Sequence, residues 1–181
     1  TWFYGSAGTG GLSRVPLPQD TANFDAGSFT TGTRVVTFEM PRVGSVNWAG
    51  STNTPQMTVA NGALYVYGSF RLISAMLLSV SENLRFSGRG SSTITSGGIA
   101  WPGSASDVYI DCAGGTYTQQ DAFTITTGDL FVNSGALAGN ASAFTCKNVT
   151  VAGGTFTTGG TLTLTGALAV SGGTLDATGR I

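Results

Sequence analysis

Hydrophobic residues in this chain fall on alternate positions, in bursts of three or four residues separated by glycine-bearing corners. The clearest bursts recur. Leu130-Phe-Val-Asn-Ser-Gly-Ala-Leu137 aligns with Val149-Thr-Val-Ala-Gly-Gly-Thr-Phe156 and with Leu168-Ala-Val-Ser-Gly-Gly-Thr-Leu175, 19 residues apart each time. Apolar residues hold the first, third and eighth places of this unit and glycine the sixth. A related stretch, Ile110-Asp-Cys-Ala-Gly-Gly-Thr-Tyr117, lies 39 residues before the second copy, which reads as two repeats plus one inserted residue. Between the copies stands a second alternating unit: Phe123/Ile125, Phe144/Cys146 and Leu162/Leu164. Period-2 alternation with Gly, Asn or Ser at the corners predicts about three short strands per repeat. No 3.6-residue periodicity accompanies it, and frequent glycine opposes helix.

A three-strand repeat of this length predicts one coil of a β-solenoid, so the expected fold class is all-β, with rungs of about 19 residues. Equivalent residues then stack about 4.8 Å apart on successive rungs. The predicted inward ladders are Leu130/Val149/Leu168, Val132/Val151/Val170 and Leu137/Phe156/Leu175. Residues 111–181 read as regular rungs that continue beyond the segment. Residues 35–110 read as looser rungs, with pairs such as Leu64/Val66, Phe70/Leu72 and Leu84/Phe86 and with Gly97 to Asp107 as a projecting loop tipped by Trp101-Pro102. Residues 1–34 read as a capping segment, since an open solenoid end exposes strand edges and core. Trp2, Phe3, Tyr4, Phe24 and Phe29 are suited to plug it.

Composition narrows the function. Charged residues are only 9% of the 181, and the net charge is −1. Scattered single Lys and Arg leave no basic footprint for nucleic acid or an anionic membrane. No apolar run approaches the roughly 18 residues of a membrane span, so no membrane insertion is expected. The absence of histidine removes His-based acid–base catalysis. Starting at Thr1 and stopping within a repeat, the chain reads as part of a longer protein.

The opening Trp2-Phe-Tyr-Gly-Ser-Ala-Gly-Thr-Gly-Gly11 is followed by Val15-Pro-Leu-Pro-Gln-Asp-Thr-Ala-Asn-Phe-Asp-Ala26, then by Val46-Asn-Trp-Ala-Gly-Ser-Thr-Asn-Thr-Pro-Gln-Met-Thr-Val59 and Leu64-Tyr-Val-Tyr-Gly-Ser-Phe-Arg-Leu72. This order resembles glycine-rich bacteriophage tail and virion-fibre proteins with β-solenoid shafts. The resemblance implies a non-enzymatic structural or receptor-binding role in a virion, with no catalytic residues or cofactors to carry over. Expected partners are further copies of the chain (a trimer among the options), other virion proteins and a host cell-surface glycan. Similar repeats occur in bacterial surface adhesins and autotransporter passengers, which is the alternative.

Candidate chemistry is sparse. Tyr65 and Tyr67 share a strand face opposite Leu64 and Val66, so they are expected to point outward, as an interface or glycan contact together with Trp101. Cys112, at the repeat position of Val151, and Cys146, at that of Leu164, are expected as buried free thiols on different sides of the core. This fits assembly in a reducing cytoplasm. Asp107, Asp111, Asp121 and Asp129 are the candidates for a glycosidase pair, although aspartate also favours corners. Thr-x-Thr pairs raise ice binding, but the repeat register sets Thr155/Thr157 against alanines and Asp176, which breaks the ladder. Asn140-Ala-Ser142 and Asn148-Val-Thr150 match the glycosylation pattern, as chance allows in so Ser/Thr-rich a chain.

Overall fold

The computed structural model describes residues 17–39, 42–102 and 106–178. Among these the regular structure is entirely β, nineteen strands and no helix. The strands wind into a solenoid of about seven turns, and every paired strand runs parallel to its neighbours.

Each turn has three faces. The first holds Arg42–Val43, Leu64–Val66, Leu84–Phe86, the start of Val108–Gln119, the start of Leu130–Ala138, Val149–Val151 and Leu168–Val170. The second runs from Thr21–Asn23 through Ser45–Asn47, Phe70–Arg71 and Ser91–Thr95 to the far halves of the two long strands, then Thr155–Thr157 and Thr174–Asp176. The third consists of two separate sheets. Val35–Phe38, Gln56–Val59 and Leu77–Val80 form one; Phe123–Thr124, Phe144–Cys146 and Leu162–Leu164 form the other.

Alternation makes the core. On each face the apolar residues of an apolar-x-apolar triplet point inward and the middle residue points out. All three predicted ladders stack in the predicted register. Aromatic side chains fill much of the interior: Phe70 meets Phe86 and Trp101 edge-on, and further along Phe144 packs against both Phe123 and Phe156. Tyr117 is fully buried and spans rungs with its hydroxyl, which donates to the Val66 carbonyl at 2.8 Å and accepts from Gly88 N at 3.1 Å. A buried phenol without such partners would be costly. Toward the last rung the core opens, and Leu168 and Val170 are 38% and 49% exposed.

Three expectations change. First, the 19-residue rung holds only for the last copies: Leu64, Leu84, Val108, Leu130, Val149 and Leu168 stack on one another at spacings of 20, 24, 22, 19 and 19 residues. Second, Val108 and Ile110, not Ile110 and Cys112, stack on Leu130 and Val132. The Val108–Gln119 strand carries extra residues at a bulge between Ile110 and Thr116, so Cys112 lies in the bulge and not at the position of Val151. Third, Trp101 is not a loop tip. It is buried on the third face, forms a parallel bridge with Ile125, and its backbone N–H donates to Thr124 O at 2.7 Å. Of the aromatics expected in the capping segment, Phe24 and Phe29 pack in the first rungs against Trp48, with centroids 3.9 and 5.5 Å from it. Trp2, Phe3 and Tyr4 lie outside the described residues.

Candidate functional site

The outward column of the first face is the most organised surface of the molecule. Register places Arg42, Tyr65, Arg85, Tyr109 and Phe131 one above another on five successive rungs. Each is the outward residue beside inward apolar ones, as in Leu64-Tyr65-Val66 and Leu84-Arg85-Phe86. Rung spacing suits planar groups, and they stack. The Arg42 guanidinium lies 5.0 Å from the Tyr65 centroid, while that of Arg85 lies 5.9 Å from Tyr65 and 3.8 Å from Tyr109. Tyr109 and Phe131 follow at 4.8 Å with their planes 12° apart. Such cation–π contacts contribute about 0.5–1 kcal/mol each at exposed sites.

Polar bonds fix the edges of this stack. Arg85 Nη1 is 2.6 Å from Asp111 Oδ2, and Asn133 Nδ2 donates to Asp111 Oδ1 at 2.8 Å. Arg42 Nη1 donates to the Tyr67 hydroxyl at 3.3 Å. The Tyr109 hydroxyl donates to Asp107 Oδ2 at 3.4 Å, and its pKa is raised, chiefly by burial and then by the Asp107 charge. With a guanidinium on either side of Tyr65, its ring faces are covered. An incoming ligand meets hydroxyls, ring edges and N–H groups instead.

Of the three expected contact residues, Tyr65 and Tyr67 lie together on this surface, both half-buried. Trp101 is removed from it by burial and packs against Phe70 in the interior. Arg42, Arg85, Tyr109 and Phe131 were missed by sequence reading. Their signal was the middle residue of successive apolar-x-apolar triplets, which becomes a pattern only when rung register is known.

The four candidate acids are each engaged in holding turns or the stack. Asp121 accepts from Ser96 N and Gly97 N, both at 2.7 Å, where Gly97 has φ +64°. Asp107 and Asp129 belong to a column that precedes the first face. Asp107 N donates to Asn83 Oδ1, Asp129 N to Asp107 Oδ1, Asn148 Nδ2 to Asp129 Oδ1 and Ala167 N to Asn148 Oδ1, at 2.6–2.9 Å. Both amide atoms of Asn148 are therefore committed, which leaves that glycosylation motif occupied by the fold. Among the described residues no three Cys, Asp or Glu side chains converge to hold a metal ion.

Cys112 and Cys146 are both free and buried. Burial pushes the Cys146 thiol up to about 12 and raises that of Cys112. The threonine pairs stack as the register foretold, with Thr155 between Ala136 and Thr174 and Thr157 between Ala138 and Asp176. Comparison with protein-family models, curated proteins and solved structures returns no match.

Proposed function

We propose that the chain is a rigid, non-enzymatic segment of a bacteriophage virion appendage, a tail fibre or spike, that spaces or presents a host-binding surface. The observation that carries this reading is the stack of parallel rungs, whose first and second faces form one continuous sheet along the described residues. Such a stack resists bending and proteolysis because local opening breaks two ladders at once. Two buried free thiols support assembly in a reducing cytoplasm, where a phage particle is built. The stacked arginine and tyrosine column supplies an ordered outward surface, and several copies on one appendage would add their weak contacts as avidity.

Gold-labelled antibody against this chain, viewed by electron microscopy of native material, tests the reading. Label on phage tails or capsids is the expected result. Label on bacterial envelopes and none on particles would replace it with a surface adhesin of the same architecture.

A further inference from the structure

We propose that Arg42, held in place by Tyr65 and Tyr67, is a receptor point for a carboxylate on an external acidic saccharide. The molecule contains its own control. Arg42 and Arg85 occupy the same outward column, two rungs apart. Each stacks over the tyrosine of the following rung, Arg85 over Tyr109 and Arg42 over Tyr65. Each then reaches the residue two places beyond that tyrosine. For Arg85 this residue is Asp111, with the guanidinium Nη1 2.6 Å from a carboxylate oxygen. For Arg42 it is Tyr67, with Nη1 3.3 Å from a phenolic oxygen. The geometry repeats; the charge does not. Arg42 is exposed and has no carboxylate within ion-pair distance among the described residues.

What the fold does with this geometry is visible at Arg85: it binds a carboxylate. At Arg42 the same arrangement keeps its positive charge. A guanidinium has five N–H donors in a planar fork that matches carboxylate oxygens. Stacking on Tyr65 and the bond to Tyr67 hold that plane before any ligand arrives, which lowers the ordering cost of binding. A saccharide fits the surroundings better than an acidic protein does. The groups beside the guanidinium are the phenols of Tyr65 and Tyr67, whose hydroxyls are able to meet sugar hydroxyls. The guanidinium across Tyr65, that of Arg85, is already bound to Asp111, so it adds no second free charge to match the run of carboxylates on an acidic protein. With a net charge of −1 there is no extended basic field to steer a polyanion, so each contact is local and weak. The choice of a saccharide rests on the reading of the chain as a host-binding surface; the recognition of a carboxylate does not.

The test is calorimetric titration of the whole chain with tetragalacturonate, with a neutral glucan tetramer and with a tetraglutamate peptide. Arg42→Gln and Tyr67→Asp are titrated beside it, and circular dichroism confirms that both variants fold. Tyr67→Asp supplies Arg42 with the internal carboxylate that Arg85 already has, so it should silence the site while keeping the stack. Expected is binding of tetragalacturonate in preference to both other probes, weakened about tenfold or more by either substitution, as loss of a charge-assisted bond implies. Absence of tetragalacturonate binding, equal binding of the neutral tetramer, tighter binding of the peptide, or variants that bind as well as the natural sequence would each overturn the proposal. Should Arg42→Gln fail to fold, Tyr67→Asp alone decides. None of these results alters where gold label falls on particles, so the two readings fail separately.

Discussion

Gly135 stands where the Leu130–Ala138 strand turns from the first face to the second, with φ +74°. A Cβ there would meet both the carbonyl oxygen and the sulfur of Cys112 on the preceding rung. Positive φ disfavours any L side chain and the collision adds to it, so Gly135→Ala is expected to cost about 2 kcal/mol or more. Gly90 offers the contrast, since a Cβ added there meets nothing within 4 Å. Gly90→Ala should stay within about 0.5 kcal/mol of the parent. Urea midpoints of the two variants check the pair, and equal midpoints would deny that corner glycines are required by close approach. This requirement was partly legible in the chain, where glycine recurs at the sixth place of each repeat. That the blocking atoms belong to Cys112 was not, because a bulge had moved that residue off its expected place.

At the scale of one element, the column Asn83, Asp107, Asp129 and Asn148 explains what keeps the first face in step. Each side chain takes a donor from the next rung, so a turn that would otherwise leave an N–H unmet is tied to its neighbour. Asp129→Ala removes the acceptor of Asn148 Nδ2, while Asp107→Ala orphans Asp129 N. A loss of about 1–2 kcal/mol is expected for either, measured by thermal unfolding. An unchanged midpoint for both would make the column ornamental. The signal was present in sequence as an Asn or Asp placed just before Leu84, Val108, Leu130 and Val149. It went unread because corner lengths differ from rung to rung, so positions 24, 22 and 19 residues apart do not look equivalent until they are stacked. The three last copies share one 19-residue spacing on the first two faces, and there alternation and glycine placement were enough to predict the ladders. Trp101-Pro102 misled for a related reason: proline after a glycine-rich run resembles a loop tip, whereas the tryptophan side chain turned inward to fill the third face.

Taken whole, the molecule hides its weak acids. Burial is the largest cause of the raised pKa at Cys146 and Tyr117, which move from ordinary values of 9.0 and 10.0 up to about 12, and Cys112 and Tyr109 are raised as well. Below pH 9 these groups are protonated in both folded and unfolded chains, so their contribution is intact. Above it the unfolded chain sheds protons that the folded one retains, and stability falls as pH rises toward about 12. Urea midpoints at neutral pH and at about pH 10.5 should therefore diverge, with the alkaline one lower. A midpoint constant across that range would mean that the thiols and the Tyr117 hydroxyl are solvated after all. Corner lengths carry a consequence of another kind. Because the faces stay in register while the connections between them grow or shrink, insertions and deletions can accumulate at corners without disturbing inheritance of the core. Whole turns are then units that descent can duplicate, lose or lengthen, and kinship between such rods would survive in the phase of their rungs after it has faded from the count of their residues.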